Sequence, residues 1–435
     1  MKISTFTFFI LCFLFFNCSS EAVITDEVIE DVESPENSTR PNILLVIADD
    51  VSKDVIPNYF EGNIKASMPT LESLMTNGIT FENTWAYSVC TPTRASILTG
   101  KYGVKTGVVK VGDNISTSET SLQKYINVNT NDAYASAIFG KWHLSNDTND
   151  ASLMGINHFA GIKVGGVQDY YNWDLIENGL TTNSTEYITT KLTDLAINWV
   201  ENQTKPWFLW MGYTAPHTPF HLAPTHLHNQ GNLPTDDASI NANPMPYYLS
   251  ALEALDSEMG RFLDSLSEEE RANTLIIFIG DNGAPNKVAQ YPYSRSTVKS
   301  SLYQGGINVP MVVSGVGVNR NGVKETALIN STDLFSTIGN AVGISTTEIH
   351  NSKSFYDLFS DENAMKRDYV YSEKEDAFTI RNTNYKYIKY DDGVEELYKL
   401  STDAYESSNL LENTLSSEAS LAKENLISEA NKIRS

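Results

Sequence analysis

The chain has 435 residues, 41% of them hydrophobic and 11% aromatic, a composition that excludes a disordered chain and leaves room for a large core beside a smaller one. Its 31 basic and 54 acidic residues give a net charge of −23, which argues against nucleic acid as a partner because phosphates demand a basic footprint. A small anion in a local cationic pocket remains compatible with that charge, which otherwise serves solubility.

In chain order, Lys2, the apolar run "FTFFILCFLFF" and the following Asn17, Cys18 and Ser19 have the layout of a secretion signal, too short to span as a stable helix. A cysteine closing an apolar run and followed by Ser-Ser resembles a bacterial lipoprotein signal. Residues 1–18 are therefore expected to be a signal peptide with Cys18 lipidated, giving possible membrane attachment; ordinary cleavage nearby is the alternative. The chain is then exported, to the periplasm or to the outer membrane or cell surface. Residues 19–40 are acidic, lack aromatics and contain Pro35, so they read as a disordered tether. With Cys12 and Cys18 removed or lipidated, Cys90 has no intrachain partner. Such a lone thiol is either a reactive group or a small buried hydrophobe.

Short runs that are apolar throughout read as strands buried on both faces of a parallel sheet. Each gives way to polar residues. "NILLVIA" ends in Asp49 and Asp50, "YASAIFG" in Lys141, Trp142 and His143, "PWFLWMGY" is followed by Ala215, Pro216 and His217, and "TLIIFIG" ends in Asp281, Asn282 and Gly283. Ligands of open α/β sheets sit beyond the carboxyl ends of strands, so four runs deliver polar groups to one edge. Helical periodicity appears near 193–203 and over 248–266, where Leu249, Leu252, Leu255, Met259 and Phe262 recur at i, i+3 and i+4. The alternation predicts an α/β fold with a large, mostly parallel central sheet flanked by helices over 41–345. From 346 to 435 the chain turns to short β-rich segments and a final helix, which predicts a smaller C-terminal subdomain with an antiparallel sheet.

Adjacent carboxylates after a buried strand are costly unless a cation neutralises them. Asp49, Asp50, Asp281 and Asn282 make an all-oxygen set suited to calcium or, less well, magnesium, and no Cys and His cluster suggests zinc. Lys141, His143, His217, Arg94 and Lys299 supply a complementary cationic wall. Around Cys90, Thr91 is a candidate cap, Pro92 suits the first position of a helix through "TRASILT", and Gly100 stops it. Cys90 is then at a helix N-terminus that favours an anion, with Arg94 one turn on.

"CTPTRASILTG" resembles the signature of the type I sulfatases of the alkaline phosphatase superfamily, exported polysaccharide sulfatases of bacteria among them. "PNILLVIADD", "GKWHL", "APHTPF", "IGDNG", "KSSLYQGGINVP" and "EELYKLSTDAYESSNLL" are similar to that family's segments in the same order. The resemblance implies that a maturase oxidises Cys90 to formylglycine before folding, and that Asp49, Asp50, Asp281 and Asn282 hold one Ca2+ together with the modified Cys90. It implies that Arg94 supports the aldehyde hydrate and His143 hydrogen-bonds it. Lys141 and Lys299 would grip sulfate oxygens and His217 would protonate the leaving alcohol. One oxygen of the hydrate attacks sulfur, and deprotonation of the other expels sulfate by C–O cleavage and regenerates the aldehyde. The activity implied is a sulfuric ester hydrolase acting on a sulfated glycan, polysaccharide or oligosaccharide. A phosphonate or phosphodiester hydrolase and an inactive glycan-binding surface protein are the alternatives.

Four positions depart from the family's habit: Lys101, Gln304, Asn308 and Ala404 stand where Arg, Glu, Arg and Pro are often found. Gln304 and Asn308 are expected near the Lys299 loop, where they would alter the pocket's electrostatics. Residues 161–187 with Tyr170, Tyr171 and Trp173, and residues 218–248 with His221, His226, His228, Tyr247 and Tyr248, are rich enough in rings to line a sugar site or simply to pack loops.

Overall fold

A computed structural model describes residues 40–147 and 149–435. The signal peptide, the lipidated Cys18 and all of the tether but Arg40 lie outside the described residues. In chain order the main sheet comprises β1 (Asn42–Ala48), β2 (Gly78–Trp85), β3 (Ala135–Lys141), β4 (His158–Ile162), β5 (Trp173–Glu177), β6 (Leu180–Ser184), β7 (Trp207–Gly212), β8 (Thr274–Gly280), β9 (Asn308–Gly315) and β10 (Val323–Asn330). These ten strands lie in the order β10-β2-β9-β8-β1-β7-β3-β4-β5-β6. The five strands from β8 to β4 are mutually parallel, while β9 and β5 are antiparallel to their inner neighbours. The sheet is thus mixed, with a parallel centre.

Strand β1 is central, and its seven residues are all buried. Its alternation serves two layers: Leu44, Val46 and Ala48 enter one hydrophobic cluster, Ile43, Leu45 and Ile47 the other. The first layer takes helices Ile188–Glu201 and Met245–Ser265, and the second takes helices Cys90–Thr99 and Leu334–Ala341. The α/β architecture read from the continuous apolar runs is the one observed.

Beyond a short hairpin of β11 (Glu348–Ile349) and β12 (Ser352–Lys353), strands β13 (Val370–Lys374), β14 (Ala377–Arg381), β15 (Tyr385–Tyr390) and β16 (Glu395–Lys399) form a four-stranded antiparallel meander. The closing helix Ser417–Arg434 starts where the Ser416 hydroxyl accepts from Ala419 N. Ala419, Ala422, Leu426 and Ala430 form its buried stripe against Tyr385, Tyr387 and Leu397. Asn330 Nδ2 donates to Tyr371 O at 2.6 Å and Ser372 Oγ to Ala86 O at 2.8 Å, pinning the small sheet to the edge of the large one.

Candidate active site

The parallel strands β1, β8, β3 and β7 end side by side, so their first loop residues meet over one edge of the sheet. Asp50 has φ +69 and His143 φ +53, left-handed turns taken immediately after β1 and β3. Asp281 N donates to Ala48 O, which carries the β1–β8 ladder one step past the strands, and Asp50 N donates to Asp281 Oδ1 at 3.1 Å. Arg94 Nε and Nη2 donate to Asp281 Oδ2 at 3.2 and 2.9 Å, and its Nη1 donates to Lys141 O at 2.8 Å. Gly212, closing β7, makes room for this guanidinium, because a Cβ there would stand 3.0 Å from Arg94 Nη1.

Lys141 Nζ donates to Asp49 Oδ2 at 2.6 Å and Lys299 Nζ to Asp50 Oδ2 at 2.6 Å. Asn282 Nδ2 donates to Asp50 Oδ1 at 2.7 Å, and Tyr248 Oη donates to Asp50 O at 2.8 Å. Asp49, Arg94, Lys141, Asp281 and Asn282 are each 0% exposed. Burial alone raises the Asp49 carboxyl, but Lys141, His217 and Arg94 hold it below the usual carboxylate range. Burial, then the neighbouring Asp49 charge, pushes Asp281 up to about 7 despite Arg94. Burial alone would lower the Lys299 ammonium, but Asp50, Cys90 and Asp49 together hold it above its ordinary value. Burial together with Lys141 and Arg94 pushes His143 down to about 2, so its ring is neutral.

Cys90 opens the helix Cys90–Thr99, with Gly100 in the left-handed C-cap conformation at φ +66. The helix begins earlier than Thr91 as cap would have it. Val89 is the N-cap and makes no side-chain cap bond. The local polar contact comes instead from Thr93, whose Oγ1 accepts from Tyr87 N at 2.9 Å and donates to Asp281 O at 2.6 Å. Tertiary contacts to the β8 end therefore set the start of the helix. Thr91 is released from capping, and its hydroxyl lies 3.3 to 3.4 Å from the His143 ring nitrogens. Burial pushes the Cys90 thiol up, against Lys141, so the free cysteine is a neutral thiol here.

The residues present fit a hard cation. Asp49 Oδ1 and Asn282 Oδ1 are buried without a hydrogen-bond partner. Ligand atoms of Asp49, Cys90 and Asp281 lie within 4.8 Å of one another, as do those of Asp49, Asp50 and His217. The structure thus brings together all the residues expected at the strand ends. His217 and Lys299 are the most open of the site residues, at 18% and 20% side-chain exposure, with His217 Nδ1 2.7 Å from Thr218 O and its Nε2 3.7 Å from Asp50 Oδ2.

Two of the ring residues named from the sequence act at the site as packing and support. Tyr170 is buried, and its hydroxyl donates to Thr214 O and His217 O at 3.0 and 2.6 Å. His221 stacks on Tyr170 with centroids 3.7 Å apart. The ring-rich segments accordingly serve mostly as packing: Tyr247 and Tyr248 are buried and His228 bonds locally to Ala223 O. Gln304 and Asn308 line a cavity of about 170 Å3 with Ala404, Lys53, Glu61 and Arg381, which contains none of the strand-end residues. The expected influence on the Lys299 pocket has no contact to carry it. Lys101 pairs with Glu119 at 2.6 Å.

Residues 41–344 match the protein family described as Sulfatase, and residues 297–432 match the one described as N-sulphoglucosamine sulphohydrolase, C-terminal. The uncharacterized sulfatase YdeN of Escherichia coli is 28% identical in a 390-position alignment that covers 75% of this chain and 67% of that protein. An N-acetylglucosamine-6-O-sulfatase of Bacteroides thetaiotaomicron is 33% identical over 196 residues, covering 44% of this chain and 33% of that protein. The chain thus spans about two thirds of the first relative and one third of the second. The crystal structure of Ps i-CgsB with k-i-k-neocarrahexaose superposes with a TM-score of 0.76 at 22% identity, covering 91% of this chain and 93% of that one.

Proposed function

The chain belongs to the sulfatase family, and from that premise we propose that it is a sulfuric ester hydrolase that removes sulfate from a sulfated carbohydrate. The observation that carries this reading is the buried convergence of Asp49, Cys90 and Asp281, ringed by Lys141, Arg94 and Lys299. Relatives named for N-acetylglucosamine-6-O-sulfatase activity and for a bound neocarrahexaose support carbohydrate as the substrate class.

In this reading Asp49, Asp50, Asp281, Asn282 and the modified Cys90 would hold one Ca2+, which would supply Lewis-acid polarisation. Formylglycine at position 90, made by a maturase, supplies as its hydrate a nucleophile with a second hydroxyl for releasing sulfate. Arg94 clamps Asp281 and the β3 end and so fixes the distance between the Cys90 helix and the carboxylates. Lys141 and Lys299 place two ammonium groups beside the same edge, where they neutralise the charge spread over the transferring group. The neutral His143 ring offers a nitrogen to hydrogen-bond a hydroxyl at position 90. His217, tied by Nδ1 to a backbone carbonyl, presents Nε2 to protonate the leaving sugar oxygen.

The same proposal has the chain exported through residues 1–18 and anchored by Cys18, with 41–345 as catalytic domain and 346–435 as subdomain. Among the described residues no helix is long and apolar enough to cross a membrane.

Protein coexpressed with a maturase should carry formylglycine at position 90 by peptide mass spectrometry. It should hydrolyse a sulfated saccharide or an aryl sulfate faster than a phosphate diester, and Cys90→Ser should fold and lose turnover. An active preparation with an unmodified Cys90 thiol refutes the proposal.

A further inference from the structure

We propose that a groove beside the two catalytic histidines binds the sugar residue adjoining the sulfated one, and that Lys163 holds an anionic group, sulfate ester or carboxylate, on that second sugar. This rests on the carbohydrate sulfatase reading and deepens it. The groove has a volume of about 560 Å3, within the range of about 300 to 1,000 Å3 usual for small-ligand sites.

Its floor is set by strand pairing. Asp174 lies opposite Asn183 and Ile176 opposite Thr181, so these four side chains of β5 and β6 share one face. The chain leaving β4 at Ile162 forms the wall through Lys163 and Gly166. That same chain is the wall of the catalytic edge. His143 N donates to Lys163 O at 3.1 Å, a Cβ on Gly165 would stand 2.9 Å from the His143 ring, and one on Gly166 would stand 3.1 Å from His217 Nδ1. The Gly165–Gly166 turn thus joins the catalytic edge to the groove, and in this proposal a sugar whose ester oxygen lies at His217 has its neighbour past Gly166.

The lining has the chemistry of a saccharide site. Val164, 46% exposed, gives apolar surface for the C–H face of a pyranose, Trp173 and Ile176 are buried in the walls, and Gln168, Asp174 and Thr181 make no side-chain hydrogen bond among the described residues, leaving them for hydroxyl groups. Lys163 is half-buried and enters no ion pair among the described residues. On a chain of net charge −23, an unpaired ammonium beside an anion-binding edge selects a second negative group on the ligand.

The test uses the full chain carrying Cys90→Ser, titrated calorimetrically with calcium present. The probes are inorganic sulfate, N-acetylglucosamine 6-sulfate, k-i-k-neocarrahexaose and a heparin-derived tetrasaccharide. At least one oligosaccharide should bind tighter than the monosaccharide. Lys163→Gln and the groove-filling Thr181→Trp should each weaken that oligosaccharide at least tenfold while leaving inorganic sulfate within twofold, and Lys163→Arg should restore most of the affinity. Oligosaccharide affinity unchanged in either variant, or no oligosaccharide tighter than the monosaccharide, overturns the groove. Failure of inorganic sulfate itself to bind refutes the parent reading instead.

Discussion

Two clusters of buried charge differ in how completely they are paired. In the C-terminal sheet Lys386 donates to Glu406 and to Leu302 O and lies 5.0 Å from the Trp85 ring centroid, while the other Glu406 oxygen accepts from Gln304 N at 2.7 Å. Burial pushes the lysine down and the glutamate up, and each is the other's counter-charge. That cluster is closed. The strand-end cluster has more charge yet leaves Asp49 Oδ1 and Asn282 Oδ1 without partners. Burial of charge alone marks neither as functional, and unpartnered oxygens occur beside the first cluster too, on Gln304 and Asn308; the strand-end site is distinguished because its unpartnered oxygens lie where ligand atoms of Asp49, Cys90 and Asp281 converge within 4.8 Å of one another.

The largest expected effect lies in the closed cluster. Lys386→Met strands a buried carboxylate and should cost about 3 to 5 kcal/mol by denaturant unfolding, with turnover per folded molecule unchanged. Adding Glu406→Gln should recover part of it. Lost turnover without lost stability would break the comparison. In the open cluster the opposite split is expected. Asn282→Ala removes an unpartnered oxygen proposed to face the metal and two donated hydrogen bonds, so turnover should fall on the order of 10^3-fold while stability in chelator falls only about 1 kcal/mol.

Metal removal sharpens this further. Calcium at 100 times its Kd should stabilise the wild type and Lys386→Met by about 2.7 kcal/mol over chelator in thermal unfolding, and Asn282→Ala by much less. The last effect concerns His221, a packed ring whose burial outweighs the nearby Asp169 charge. Burial pushes it down to about 4, against about 6.5 for an unfolded histidine. The unfolded chain therefore binds the extra proton between those values, and stability is lost as pH falls through that window, by at most about 1.4 kcal/mol per unit. His221→Phe keeps the stack on Tyr170 and should remove this increment, as the difference between the two unfolding curves from pH 7 to 4.

The strand-end chemistry was legible because each run from "NILLVIA" to "TLIIFIG" is apolar on both faces and ends abruptly in polar groups. Parallel neighbours then bring those ends together without any further signal. Position 91 misled, since capping is a local preference and the Thr93 and Arg94 contacts to Asp281 override it. The aromatic segments misled for a related reason: a tyrosine reads the same whether it faces a sugar or, as Tyr170 does, bonds the backbone under His217. Residues 161–187 were read as a candidate sugar site, but the β5–β6 pairing within them was not, because "WDLIENGLTTNS" pairs at the sheet's outer edge, half exposed and without a continuous apolar run.

Cys90 is only 2% exposed, closed in by the β8 end and by the Lys299 loop, where Ser300 N bonds to Ser88 O. An enzyme that must reach its sulfur can do so only while the chain is still open. Yield of working protein would then be decided by a race during synthesis and export, and molecules that collapse first would stay intact, soluble and permanently idle.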